Sequence, residues 1–153
     1  MAWATPLSSL TYENRTYEWH EAMPSSSIAV LASADPFISL PPELRGLLFA
    51  QIYHNITGMV GGQPEFPCEM RLDMADVTLE LGEGDMAHNL TLSPYDYTFK
   101  VYRSSEDIEV CVFGVLRSHA SQVALGWPFL RRFYTILDWD ERRIRFVPKS
   151  DPE

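Results

Sequence analysis

Leu125-Gly126-Trp127-Pro128-Phe129-Leu130-Arg131-Arg132-Phe133-Tyr134-Thr135-Ile136-Leu137-Asp138 is the stretch on which the fold is decided. Its last residues, with Trp139, form the run Thr135-Ile-Leu-Asp-Trp139. A second run, Arg143-Ile-Arg-Phe-Val147, follows the polar Asp140-Glu-Arg142. Two β-rich runs straddling a short polar segment predict a hairpin. Upstream, Val110-Cys-Val-Phe-Gly-Val115, Thr98-Phe-Lys-Val-Tyr102, Leu90-Thr-Leu92 and Val77-Thr-Leu-Glu-Leu81 read as successive strands. Gly, Asp, Asn, Ser and Pro separate them, and the spacing is that of an all-β domain.

Further back, Pro41-Pro42-Glu43 opens the clearest helix. Proline suits a helix start, and an acid in the first turn meets the positive end of the helix dipole. Leu44, Leu47, Leu48 and Ile52 recur at helical spacing, so one face is buried. Gly58 and Gly61-Gly62 are read as its end. Ile28-Ala-Val-Leu31 is a short buried strand, preceded by a loop at Pro24 and residues 25–27. Leu10-Thr-Tyr12 and Thr16-Tyr-Glu-Trp19 flank Glu13-Asn14-Arg15 as a first hairpin.

At 153 residues one domain over 1–153 is expected. Hydrophobic content of 46% with 22% charged residues excludes a disordered chain, and no apolar run is long enough for a membrane span. A net charge of −9 argues against nucleic acid, whose phosphates demand clustered Lys and Arg. His20, His54, His88 and His119 lack paired metal-ligand spacing, and no acid-rich loop resembles a calcium site, so no metal is expected. Neither a Gly-x-Ser-x-Gly elbow nor a phosphate loop is present, and no cofactor is implied. Cys68 and Cys111 are compatible with one disulfide, and Asn14-Arg-Thr, Asn55-Ile-Thr and Asn89-Leu-Thr are glycosylation sequons. Residues 1–10 lack the basic and apolar segments of a signal peptide. The two readings are a cytoplasmic protein with reduced thiols and one of secretory ancestry or a trimmed precursor.

The opening stretch resembles the carboxy-terminal signature of pepsin-like aspartic proteases. There an apolar pair and glycine precede an Asp, a Phe-Leu-Arg helical turn, then Tyr and an apolar strand ending in Asp. Met74-Ala-Asp-Val-Thr-Leu79 and Leu90-Thr-Leu-Ser-Pro-Tyr-Asp-Tyr97 resemble two further family segments. The resemblance covers residues 9–148 and implies an all-β fold, a single lobe with one main helix and one short helical turn. It corresponds to the second half of a two-lobed enzyme, with no amino lobe present, and it implies a Cys68–Cys111 disulfide.

Ala29-Val30-Leu31-Ala32-Ser33-Ala34-Asp35-Pro36-Phe37-Ile38-Ser39-Leu40-Pro41 resembles the family's catalytic loop, which reads apolar-apolar-Asp-Thr/Ser-Gly-Thr/Ser and then continues to Leu-Pro and the helix. Anchored on Phe37 to Pro41, the resemblance puts Ala32 at the catalytic aspartate and Ala34 at its glycine. Ser33 keeps a hydroxyl position, and Asp35 falls on a supporting Thr or Ser. The family's two aspartates, one per lobe, share a proton around the catalytic water. The resemblance therefore implies a pseudoprotease that does not cleave peptides by that chemistry. Asp35 stands three residues from the acid's place, and positioned acid and base catalysis tolerates little misplacement; the stronger reading has Asp35 cap a turn or hydrogen-bond local backbone next to Pro36.

Candidate ligand or catalytic residues are Ser33, Asp35, His119 and Trp127. Trp127 replaces the usual acid after Leu125-Gly126, and reads either as packing into volume left by Ala32 and Ala34 or as lining an apolar pocket. His119 reads as a rim or solvated loop residue. The leading function is a non-proteolytic protein binding an apolar small molecule or peptide in the former substrate cleft. The alternative is an enzyme recruited for isomerisation or cyclisation of a hydrophobic metabolite, in keeping with signatures similar to those of fungal members and with secondary metabolism. Half of a split protease is the third. A homodimer or pairing with another lobe is expected, because the strand Arg143 to Val147 joins an interlobe sheet in the family.

Overall fold

The computed structural model describes residues 3–18, 28–82, 84–118 and 122–150. The strands are β1 (Ala4–Tyr12), β2 (Arg15–Glu18), β3 (Ile28–Leu31), β4 (Ile38–Leu40), β5 (Gly58–Val60), β6 (Gln63–Phe66), β7 (Val77–Leu81), β8 (His88–Leu92), β9 (Thr98–Arg103), β10 (Ile108–Phe113), β11 (Val115–Arg117), β12 (Val123–Leu125), β13 (Phe133–Asp138) and β14 (Arg143–Pro148). The helices are α1 (Pro42–Ala50), α2 (Pro94–Tyr97) and α3 (Trp127–Leu130). The protein is an all-β lobe of the pepsin-like fold.

Alternation builds the largest sheet. In β7, Val77, Leu79 and Leu81 are buried while Thr78 and Glu80 face outward, the pattern of a sheet with one face on the core. Strand order is β11-β4-β12-β3-β1-β7-β8, and among the described residues β2 pairs with β1 alone. β3 and β4 are neighbours in sequence but not in the sheet. Between them lies β12, parallel to β3 and antiparallel to β4 at Ala124 and Ser39. The connection from β3 to β4 must therefore cross over the end of β12, and this crossing makes the candidate site. A second sheet has the order β5-β6-β10-β9, and β13 and β14 form a third, two-stranded one. Leu44 and Leu48 of α1 join Phe66, Phe113, Leu79, Leu92 and Leu125 in a common core. A void of about 10 Å³ beside Leu48, Leu79 and Tyr97 is all the space left in that part of it.

The predicted disulfide is present: Cys68, in the turn after β6, is bonded to Cys111 of β10 with their Cα atoms 4.9 Å apart. Of the expected helix face, Leu44 and Leu48 are buried and Leu47 is half-buried against the core, while Ile52, also buried, lies just past the helix end. Three expectations are corrected. The helix ends at Ala50 rather than at the glycines. Gly61 and Gly62, at φ 56° and 80°, form instead the two-residue turn of the β5–β6 hairpin, whose closing pair is Val60 with Gln63. The run from Val110 to Val115 is two strands. At Gly114 the chain leaves the second sheet for the first, and a Cβ there would stand 2.8 Å from the Tyr97 carbonyl oxygen. The first hairpin turns on Glu13 and Asn14 alone, since Arg15 already pairs with Tyr12. A helical turn absent from the expectation, α2, is closed by a capping box in which Asp96 accepts from the Ser93 backbone N–H at 2.7 Å. Trp19, His20 and the loop at Pro24 lie outside the described residues.

Candidate functional site

Residues 32–37 carry the chain from β3 to β4 over the C-terminal end of β12. Ala32 N–H donates to the Leu125 carbonyl at 3.1 Å, and Asp35 N–H donates to the Ala32 carbonyl at 2.9 Å, which folds residues 32–35 into a tight turn. The Asp35 carbonyl then accepts the Trp127 N–H at 2.9 Å. Gly126 lies under this crossing. A Cβ there would stand 2.0 Å from the Phe37 carbonyl oxygen and 2.6 Å from that of Asp35, so only glycine permits the approach. Beyond the turn, Ile38 N–H donates to the Gly114 carbonyl at 3.1 Å, and Phe37 stands edge-on to Phe99 with ring centroids 5.9 Å apart.

This backbone knot brings three of the four candidate residues together. Ser33 and Ala34 are exposed at the tip of the turn, and Asp35 is half-buried. Trp127 opens α3 immediately beside Asp35 and is 55% exposed. The indole therefore does not fill the space left by small side chains at 32 and 34; it stands at the surface. Among the described residues, Ser33 and Asp35 make no side-chain hydrogen bond or ion pair, so the Asp35 carboxylate does not cap the turn as expected; an exposed hydroxyl and a half-buried carboxylate are held on the turn that docks the start of α3. His119 lies outside the described residues, although the strand before it is fixed by Ser118 N–H donating to the Leu40 carbonyl at 2.8 Å.

The end of α3 is held by a cation that sequence reasoning read only as part of a signature. Arg131 points its guanidinium at the carbonyls of Asp96 (2.7 Å) and Thr98 (3.4 Å) and lies over the Phe99 ring. Burial lowers its pKa from the usual arginine value. Arg71 donates to the Thr98 hydroxyl at 2.7 Å and stacks on Tyr95. The two guanidiniums clamp α2 and the start of β9, the same strand whose Phe99 supports Phe37. Two open polar hollows, of about 390 Å³ by Ser93, Asp96 and Arg132 and about 450 Å³ by Thr11, Asn14 and Asp76, do not include Ser33, Asp35 or Trp127. Among the described residues no group of three His, Cys, Asp or Glu side chains is arranged to hold a metal ion.

A strand pair with a third strand threaded between its members, an α-helix docked behind it and a bridged second sheet define one lobe of a pepsin-type protein. The family model for eukaryotic aspartyl protease matches residues 1–149, and the chain belongs to that family. It is 28% identical over 123 residues to the vacuolar aspartic protease of Candida albicans, covering 78% of this chain and 27% of that protein. Bovine cathepsin D is 33% identical over 91 residues, 56% of this chain and 22% of the relative. The probable vacuolar protease A of Arthroderma benhamiae is 29% identical over 114 residues, 71% of this chain and 26% of its own length. The chain thus spans about a quarter of the length of the curated relatives it matches.

Proposed function

We propose that this lobe has given up peptide hydrolysis and binds an apolar small molecule or peptide over the turn at residues 32–35 and the start of α3. The observation that carries the reading is the turn itself. Its backbone keeps a supported loop across β12, yet the side chains at Ala32 and Ala34 are methyl groups where the resemblance calls for a carboxylate and a glycine. Without that carboxylate no water is activated between paired acids. What the turn presents instead is an exposed indole beside a hydroxyl and a carboxylate, a combination suited to apolar contact with one or two orienting hydrogen bonds.

Association with a second lobe, a copy of this chain or another, belongs to the same proposal. The two-stranded sheet of β13 and β14 shows Tyr134, Ile136 and Val147 at 60%, 49% and 46% exposure on one face. Two strands alone are marginal in water, and an exposed apolar face with free edges favours a covering partner. The test is native mass spectrometry of the protein after exposure to an extract of its source. A retained apolar molecule, lost in Trp127→Ala, is the expected result. Conversion of that molecule rather than capture would transfer the reading to a recruited isomerase or cyclase, and a protein that retains nothing would overturn both.

A further inference from the structure

The chain has three asparagines, and each is followed two positions on by a threonine: Asn14 by Thr16, Asn55 by Thr57 and Asn89 by Thr91. The residues between are Arg15, Ile56 and Leu90, none of them proline. Serine and threonine fill 21 of the 153 positions, so coincidence at all three has odds of about 0.3%. The structure adds what the pattern alone lacks. All three asparagines are exposed. Asn14 is at the tip of the β1–β2 turn, Asn55 ends the short helical turn Tyr53–Asn55 before β5, and Asn89 lies within β8. The disulfide between Cys68 and Cys111 is an independent mark of an oxidising compartment.

The threonines have structural work that does not explain the asparagines. Thr16 and Thr91 are the two ends of a row, Thr16-Thr11-Thr78-Thr91, that crosses four paired strands. Hydroxyl contacts of 2.9 Å and 2.8 Å join Thr11 to Thr16 and Thr78 to Thr91. Thr57 donates to the buried Glu65 carboxylate at 3.1 Å. Asn14 has φ 61°, which asparagine tolerates better than most residues. Asn55 and Asn89 have positions in a helical turn and a strand that make no such demand.

We propose that Asn14, Asn55 and Asn89 are modification sites, each carrying an N-linked oligosaccharide. In the transfer, the asparagine amide nitrogen forms a bond to the anomeric carbon of an oligosaccharide donor, and the bond from that carbon to a polyprenyl diphosphate breaks. The diphosphate departs, and the amide proton passes to a base on the transferase. The placement has a physical consequence. Among the described residues β2 pairs only with β1, β8 is an edge of the largest sheet and β5 is an edge of the second, so each site lies on an edge strand or a few residues before one. A glycan there blocks strand addition from another chain. No asparagine lies in the turn at residues 32–35, in α3 or in the β13–β14 hairpin, so none of these elements carries a site of this kind itself.

The protein isolated from its source is treated with a peptide N-glycosidase in heavy-oxygen water, and its peptides are sequenced by mass spectrometry. Heavy-labelled aspartate at all three positions is the expected result. Unlabelled asparagine at a position overturns the assignment there, and at all three overturns the proposal. In a secretory host, Asn14→Gln, Asn55→Gln and Asn89→Gln each remove one glycan step from the mass, while Thr91→Ser keeps its step; a mass that no variant changes contradicts the proposal equally.

Discussion

A methyl group at position 126 would collide with two carbonyl oxygens of the crossing loop, whereas one at Gly46, on the exposed side of α1, would meet nothing within 4 Å. Gly126→Ala is expected to cost at least about 3 kcal/mol, and Gly46→Ala to gain up to about 1 kcal/mol through helix propensity. Urea denaturation of the two variants checks both signs. Glu65 makes a different demand. It is buried on β6, accepts from Thr57 and pairs with Arg103, whose side chain is 30% exposed. Removing the carboxylate leaves Arg103 with its exposed pairing to Glu106 and takes the acceptor from Thr57, so Glu65→Leu is expected to cost about 1–3 kcal/mol, with Glu65→Gln closer to wild type. The same denaturation curves report it. Neither residue announced itself in the sequence. Gly126 was legible only as part of a signature, because a need for glycine that comes from carbonyls about ninety positions away leaves no local trace, and nothing in Pro64-Glu65-Phe66 marks the acid as buried.

Among the elements, β7 was legible to the residue because one face is buried and its alternation is strict. The start of β1 was not. Burial alternates from Ala4 to Ser9, but two of the buried positions are the polar Thr5 and Ser9 and Pro6 lies between them, so the residue types do not show it. The Gly61-Gly62 pair reads as a helix stop after a helical run, although two glycines between short β-forming runs equally mark a hairpin turn; the deciding fact, pairing of β6 with β10, is long-range. The bond between Cys68 and Cys111 ties that second sheet to the turn after β6 and closes a loop across a sequence separation of 43. Its reduction is expected to cost about 4 kcal/mol on the chain-entropy account, read as a lower melting temperature in calorimetry with and without reductant. Where β1 and α2 face the core, burial and the neighbouring Glu13 carboxylate push the Tyr12 hydroxyl up to about 12, and burial likewise raises Tyr97, whose hydroxyl donates to the Ala75 carbonyl at 2.6 Å. Both groups ionise more readily unfolded than folded. The Tyr12 contribution is therefore complete below pH 10 and is lost as pH rises from 10 through about 12, that of Tyr97 falls in the same direction, and Tyr12→Phe is expected to move the alkaline unfolding midpoint upward in a circular-dichroism titration.

Over the whole molecule, the candidate site depends on topology more than on any motif. Ser33, Asp35 and Trp127 are separated by more than ninety positions at the extremes, and they meet because β12 threads between β3 and β4. The resemblance to the family supplied that meeting; composition and periodicity did not. The β13–β14 hairpin was legible from its two runs, but its outer apolar face became visible only with the pairing of Tyr134 to Val147 and Ile136 to Arg145. Ile136→Arg is expected to abolish association with a second lobe while changing the stability of the lone lobe by less than about 0.5 kcal/mol, as sedimentation velocity and denaturation together report. Binding without hydrolysis is the property proposed for the turn at residues 32–35. Peptide cleavage assayed from pH 3 to 7, with and without a pepstatin-type inhibitor, at concentrations that span self-association, checks it. No cleavage and no inhibitor binding are expected at any concentration; inhibitor-sensitive cleavage that disappears in Asp35→Asn would overturn the proposal.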